Sequence, residues 1–145
     1  MNARSALKPP DILLIEPDNL VRGTLAGVSR DLGIAKIHQS ISVAAAQPFL
    51  DSADLRGLLV TLDEEGAAMA MLAELRAGRF ACNAGLPVAV MSASCTVETA
   101  KALKALDVKR ILLQPFKLRD AILTLEQLGA LASSDAPADA EAQTA

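Results

Sequence analysis

The stretch Leu58–Gly66, with the sequence LLVTLDEEG, limits what this chain can fold into more than any other. Its first five residues are apolar or β-branched, and three acids and a glycine follow directly. A short run of this kind is typical of a strand that is buried on both faces, in the middle of a parallel sheet. Functional groups of open α/β sheets lie just past the carboxyl ends of such strands, so Asp63 is expected at a functional edge.

Four other stretches have the form of strands, and a helical pattern follows each strand. The predicted strands are Asp11–Glu16, Ile34–Ser40 (close to an edge), Leu58–Leu62, Leu86–Ser94 and Arg110–Leu113. The third helix is expected to face the sheet with Met69, Leu72 and Leu75, and the last with Leu118, Ala121, Ile122, Leu125 and Leu128. Five alternating units predict an α/β fold, a doubly wound parallel sheet with helices on both faces.

The flavodoxin-like strand order 2-1-3-4-5 is the arrangement we expect for this sheet. It would bring the ends of the first, third, fourth and fifth strands together at the switch point of the sheet. The residues at those ends are Glu16, Asp63, Ser92 and Gln114. The pattern alone therefore predicts that these four side chains form a constellation.

Composition indicates one soluble globular domain. The 145 residues divide into a leader (1–10), a domain (11–131) and a tail (132–145) that is expected to be disordered. A net charge of −3 argues against nucleic-acid binding, which favours a basic surface. No apolar run approaches the roughly 20 residues of a membrane span, and no signal peptide is evident. Cys82 and Cys95 form no metal-binding spacing, so a reduced, cytoplasmic chain is expected.

Three motifs, in order and at suitable spacing, carry a family resemblance. They are Ile15–Arg22 (IEPDNLVR), Leu86–Ala93 (LPVAVMSA) and Leu112–Phe116 (LLQPF). Over about residues 10–130 the chain resembles the CheY-like receiver domain of two-component response regulators. That family transfers a phosphoryl group from the phosphohistidine of a histidine kinase to an aspartate, with Mg²⁺ and positioned charges stabilising the reaction.

The resemblance implies roles for individual residues, and several depart from the family pattern. Glu16 matches the first metal-binding acid, whereas Pro17 takes the place of the second and leaves Asp18 one residue on. Ser92 matches the hydroxyl that contacts the phosphoryl group, and Gln114 replaces the lysine. Ile111 replaces the switching aromatic residue, and Pro115 matches a proline that follows a cis peptide bond.

Two registers are open for the phosphoacceptor. Counted from Gly57, Leu62 falls in the acceptor position, whereas counted from the end of the apolar run Asp63 does. Asp63 is the candidate phosphoacceptor and, with Glu16, a weak candidate ligand for Mg²⁺. The alternative is a purely structural role, in which the acids at 63–65 form a solvated helix N-terminus and complement the helix dipole. His38 is expected to be an ordinary strand residue.

A stand-alone, atypical receiver is the function that the sequence favours. It would dock a histidine kinase or another signalling protein, with weakened or absent aspartate phosphorylation. Homodimerisation through the last two helices and the last strand is also expected, with Leu123 and Ala130 exposed there. A small-ligand or nucleotide-binding module is the alternative, disfavoured because no glycine-rich loop follows the first strand. No nucleophile–base pair is recognisable, so the protein is not expected to be an enzyme.

Overall fold

The structure, a computed structural model, describes residues 8–133. Within them, strands and helices alternate along the chain. The strands are β1 (Asp11–Ile15), β2 (Lys36–Ser40), β3 (Gly57–Thr61), β4 (Val88–Ser92) and β5 (Val108–Leu113). The helices are α1 (Asn19–Asp31), α2 (Gln47–Leu50), α3 (Ala67–Arg76), α4 (Val97–Ala105) and α5 (Leu118–Ser133), and a 3-10 turn (Ala44–Ala46) precedes α2.

The strands form one parallel sheet in the order 2-1-3-4-5, which confirms the predicted fold. β1, β3 and β4 lie in the middle, and nearly all their side chains are buried. β2 lies at one edge, as its more polar sequence predicts, and β5 at the other. Apolar, unalternating runs occupy the centre because helices cover both faces of the sheet there.

Two cores pack on the two faces of the sheet. One contains buried residues of α2, α3 and α4, among them Leu50, Leu72 and Leu103. The other contains buried residues of α1 and α5, among them Leu25 and Leu125. The sheet is thus the middle layer of three, and its carboxyl edge is the place where all the strand-to-helix loops meet.

Side chains of the preceding residues cap two of the helices. The Asp18 carboxylate accepts hydrogen bonds from the amides of Leu20 and Val21, and so caps α1. The Thr96 hydroxyl accepts from the amide of Thr99 at the start of α4. These side chains satisfy amides that have no partner inside the helix.

Three predicted core positions differ in the structure: Met69, Leu118 and Ile122, of which Ile122 is half-buried and belongs to neither core. The buried stripe of α3 is Ala68, Met71, Leu72 and Leu75, at helical spacing, so Met69 lies beside it and is only half-buried. Leu118 is 44% exposed because it is the first residue of α5, ahead of the buried turn at Ala121. Leu123 and Ala130 are exposed, as predicted.

The last helix is longer than expected, since α5 continues to Ser133 rather than ending at Leu131. Most of the leader and residues 134–145 of the predicted tail lie outside the described residues. None of the helices described in 8–133 combines the length and hydropathy that crossing a bilayer requires.

Candidate functional site

The ends of four strands lie at the carboxyl edge of the sheet, and strand register places Glu16 and Ser92 there. Ile15 of β1 pairs with Val60 of β3, which puts Glu16 beside Thr61. Thr61 in turn pairs with Met91 of β4, so Leu62 is level with Ser92. A row of residues therefore lies across the carboxyl ends of the strands. It consists of Glu16, Thr61–Leu62, Ser92 and Leu113, the last being the partner of Ser92 on β5.

Glu16 is the buried charge of this edge. Only 3% of the residue is exposed, and both carboxylate oxygens accept hydrogen bonds. The Thr61 hydroxyl donates to Oε1 at 2.8 Å, and the Asp18 amide donates to Oε2 at 2.8 Å. Arg22 donates to the Glu16 backbone oxygen at 2.7 Å, so the guanidinium braces the strand end.

Thr61 was missed as a site residue by the reasoning from sequence. Its hydroxyl was read only as part of an apolar, β-branched run. The available signal was its position, because Thr61 is the single polar side chain among the five residues that precede Asp63. The Thr61 hydroxyl is half-buried at the strand end, and its partner in this structure is Glu16.

Asp63 lies outside the sheet. It is exposed, and its carboxylate faces the start of α3, where Oδ2 accepts from the Ala67 amide at 3.0 Å and Oδ1 from the Ala68 amide at 2.8 Å. Desolvation acts to raise the pKa of Asp63. The amide hydrogen bonds, helped by a contact with Glu65, outweigh it and hold the pKa below the usual value. Asp63 is therefore an ionised cap of a helix N-terminus.

Leu62 lies at the carboxyl end of β3, level with Ser92. Its amide donates to the Met91 oxygen at 2.8 Å and extends the β3–β4 ladder by one step. Its side chain is half-buried against the core of α2, α3 and α4. The β3–β4 ladder therefore extends to Leu62, and Asp63 is the first residue after it.

Ser92 and Gln114 lie where the sequence predicts, at the ends of β4 and β5. The Ser92 hydroxyl donates to the Ser94 oxygen, while the Ser92 oxygen accepts from the Gln114 amide at 2.8 Å. The Gln114–Pro115 peptide bond is cis. Ile111 is half-buried and packs on the same core as Leu62.

The acids at this edge do not fit a magnesium site. Both oxygens of Glu16 and of Asp63 accept from protein donors, and the Asp18 carboxylate caps α1. Pro17 offers no side-chain ligand. Within residues 8–133, no three His, Cys, Asp or Glu side chains come together as metal ligands. Mg²⁺ binds where several oxygen ligands converge, whereas the Asp18 and Asp63 carboxylates face the starts of two different helices and Glu16 faces Thr61.

Two further residues from the sequence reasoning lie outside the constellation. His38 contacts Asp11, with Nε2 and Oδ1 2.9 Å apart, near the amino ends of β1 and β2 and thus far from the carboxyl edge. Cys95 follows β4 at the carboxyl edge, and its thiol contacts the Thr96 oxygen at 3.6 Å. Neither touches the Glu16–Thr61 pair in this structure.

Comparison with known proteins gives structural similarity only. No protein-family model matches the chain, and no curated protein sequence does. Among solved structures, the HemR receiver domain of Leptospira biflexa is similar, with a TM-score of 0.74, 17% identity, and coverage of 84% of this chain and 95% of that one. A response regulator from Thermotoga maritima has a TM-score of 0.71, 14% identity, and coverage of 84% and 98%.

The Mn(2+)-bound form of response regulator Rcp1 is also similar, with a TM-score of 0.64, 21% identity, and coverage of 83% of this chain and 91% of that one. Between 91% and 98% of each of these three structures is covered by the match to this chain. At such identities the likeness establishes the architecture and no individual residue role. The protein has the CheY-like receiver fold of response regulators.

Proposed function

We propose that this protein is an atypical receiver, which acts in two-component signalling by docking a partner and not by accepting a phosphoryl group. The observation that carries the proposal is made at the end of β3, where Leu62 and not Asp63 is the last residue to pair with β4. Leu62 holds the position in the row, and the Asp63 carboxylate is bound to the first amides of α3. To act as a nucleophile, Asp63 would have to leave that helix.

The charges at the edge support the same proposal. Phosphoryl transfer to a carboxylate requires cations that neutralise the phosphoryl oxygens. The position of the lysine holds Gln114, which carries no charge, and the carboxylates are committed to protein donors. The cations near this edge are Arg22, whose guanidinium donates to the Glu16 backbone oxygen, and Lys117, three residues after Gln114 in the sequence. Any Mg²⁺ binding through Glu16 and Asp63 is proposed to be weak.

A histidine kinase or another signalling protein is the proposed partner class, in keeping with the fold. Self-association through α4, β5 and α5 belongs to the same proposal, since Leu123 is 41% exposed on the outer face of α5. We infer no catalytic activity. The one histidine is held by Asp11 at the other end of the strands, away from every hydroxyl of the carboxyl edge.

Nucleotide binding is the weaker alternative, and the start of α1 argues against it. A helix N-terminus binds phosphate through its free amides. Here the Asp18 carboxylate already accepts from the amides of Leu20 and Val21. A phosphate would have to displace a negatively charged side chain of the protein itself.

The test is phosphorylation by a small phosphodonor. The protein is incubated with acetyl phosphate and Mg²⁺, and its intact mass is measured beside that of Asp63→Asn. We expect no phosphate on either protein. A triple variant, Pro17→Asp, Leu62→Asp and Gln114→Lys, restores the residues that the family resemblance implies, and serves as the positive control once circular dichroism shows that it is folded.

Uptake by the triple variant, without uptake by the natural sequence, would support the proposal. Uptake by the natural sequence that disappears in Asp63→Asn would show a working receiver and refute it. Stoichiometric binding of a nucleotide to the purified protein would instead favour the alternative function.

A further inference from the structure

A polar cavity lies at the amino ends of β1 and β2, at the opposite end of the sheet from the carboxyl edge. Its volume is about 230 Å³, and four of its lining side chains can carry a charge: Asp11, Lys36, His38 and Asp54. The rest of the wall is formed by Phe49, Ser52 and Leu55. Functional groups of open α/β sheets lie at the carboxyl ends of the strands, so this cavity is separate from the site described above.

The cavity exists because the helix after β2 is short. α2 ends at Leu50, and residues 51–56 return to β3 as a loop. Hydrogen bonds fix this loop, since the Arg56 amide donates to the Asp11 oxygen at 2.8 Å and the Asp54 amide donates to the Ser52 hydroxyl at 3.3 Å. Strand ends and a tied loop therefore form the cavity before any ligand enters it.

The Asp11 side chain does not pair with its direct neighbour on β2. Strand register places Asp11 level with Lys36, yet its carboxylate contacts His38, with 2.9 Å between Oδ1 and Nε2. Because a carboxylate accepts hydrogen bonds, we assign the proton of the neutral imidazole to Nε2, which leaves Nδ1 as an acceptor. Within residues 8–133, Nδ1 has no hydrogen-bond partner. Asp11 thus orients an imidazole that has one acceptor available.

Lys36 and Asp54 bring opposite charges to the same cavity. None of the ion pairs found within residues 8–133 includes either residue. An ammonium and a carboxylate that line one small cavity without pairing with each other can be matched by a ligand that carries both charges. A simple anion would face the Asp54 carboxylate, and a simple cation would face the Lys36 ammonium.

The remaining wall is apolar and aromatic. The ring centroid of Phe49 lies 5.4 Å from that of His38, with 35° between the ring planes, and Leu55 is buried beside them. Drug-sized ligands occupy cavities of roughly 300–1,000 Å³, so a ligand of this cavity is smaller. A metal ion does not fit the lining, because no three His, Cys, Asp or Glu side chains converge in the described part of the chain.

We propose that this cavity binds a free α-amino acid with an apolar side chain, as its zwitterion. The carboxylate of the ligand would pair with Lys36 and its ammonium with Asp54, while its side chain would lie against Phe49. His38 Nδ1 would accept a hydrogen bond from the ammonium, and Asp11 acts as the positioning residue. This inference goes beyond the proposed function, since it gives a receiver that accepts no phosphoryl group another kind of input.

Titration with free amino acids tests the site. L-Valine, L-leucine, L-methionine and L-phenylalanine are added at millimolar concentration to the ¹⁵N-labelled full-length protein, and amide chemical shifts are recorded. Saturable shifts are expected around residues 36–38 and 49–55, with much smaller ones at the carboxyl edge. Two analogues of L-leucine, 4-methylpentanoate without the ammonium and 3-methylbutylamine without the carboxylate, should bind at least roughly tenfold more weakly.

Matched variants assign the two charges. Lys36→Met and Asp54→Asn should each weaken L-leucine binding roughly tenfold, because each removes one charge-assisted contact. Both residues are exposed, so the variants are expected to fold, and circular dichroism checks this. Lys101→Met and Glu74→Gln remove the same kinds of charge from exposed positions of α4 and α3, and are expected to leave the affinity unchanged.

Three results would overturn the inference. One is an absence of shifts at the cavity with all four amino acids, and another is binding of 3-methylbutylamine as tightly as L-leucine. The third is unchanged affinity for L-leucine in both Lys36→Met and Asp54→Asn. The phosphorylation test is independent: phosphate uptake would refute the proposed function while leaving the amino-acid titration measurable.

Discussion

The Thr61 hydroxyl donates a hydrogen bond to the Glu16 carboxylate across two neighbouring strands, with 2.8 Å between Oγ1 and Oε1. Forty-five positions separate these residues in the sequence. The contact holds a carboxylate that is almost fully buried, at the edge where a receiver would carry out its chemistry. It joins the ends of β1 and β3, and so links the stability of the fold to the carboxyl edge of the sheet.

Thr61→Val should destabilise the protein by about 1–3 kcal/mol, because the isosteric change leaves a buried carboxylate oxygen without its donor. The free energy of unfolding is measured by urea denaturation followed by circular dichroism. Thr24→Val makes the same change on the exposed face of α1, and should alter stability by no more than about 0.5 kcal/mol. Equal effects of the two substitutions would contradict the role given to Thr61.

Asp63→Ala should destabilise α3 by about 1 kcal/mol at neutral pH, as the loss of a capping side chain does. The native state lowers the pKa of Asp63, so its stabilisation is present above the unfolded value of 3.8 and is lost as the pH falls through the folded pKa. The difference between the natural sequence and the variant should therefore shrink in acid, below about pH 4.

Urea titrations at neutral pH and on the acid side of that value measure this difference. Glu64→Ala, an exposed neighbour, is the control and should show little effect at either pH. A difference that stays constant into acid would mean that the Asp63 carboxylate is not the cap.

Arg76→Met should be the most destabilising of these substitutions, at about 3 kcal/mol. The guanidinium of α3 donates to the oxygens of Ala84, Leu86 and Leu106 at 2.8 Å each, and thereby ties the loops before β4 and β5 to the helix. Arg76→Lys should recover only part of the loss, since one ammonium cannot reproduce the planar fork. Arg79→Met, at an exposed position, is the matched control for thermal and urea denaturation.

Gly23→Ala should stabilise the protein by about 0.5–1 kcal/mol, because this glycine lies inside α1 and a Cβ would meet nothing within 4 Å. Gly66→Ala should destabilise it, although space is equally free there, since Gly66 has φ of 84°. Thermal denaturation of both variants checks the pair. Stabilisation by both would show that the loop before α3 does not require the left-handed conformation.

Cys95 should react with a thiol reagent well before Cys82 in the native protein. Cys82 is buried, and burial raises the pKa of its thiol, which lowers the fraction of reactive thiolate. Cys95 is partly exposed at the carboxyl edge. Absorbance with a chromogenic disulfide reagent gives the two rates, and urea should make them similar. Equal native rates would contradict the packing of Cys82 under α2.

The fold could be predicted from particular segments. The apolar runs of β1, β3 and β4, each followed by helical spacing, were enough for a parallel sheet with both faces covered. Asp18 and Thr96 were recognisable as helix caps because capping depends on residues two or three positions away. For α3, the predicted buried face included Met69, whereas the structure buries Ala68 and Met71 instead. The sequence could not decide this because Ala and Met allow more than one helix face to be buried.

By itself, the sequence determined which segments are strands and helices, their order in the sheet, and the presence of Pro17 and Gln114 at the carboxyl edge. Tertiary structure alone decided the register after β3. A strand that is buried on both faces has no polar alternation to identify its last paired residue. Leu62 stays in the ladder because the Met91 oxygen of β4 accepts its amide hydrogen, and Asp63 leaves it because the free amides of α3 bind its carboxylate.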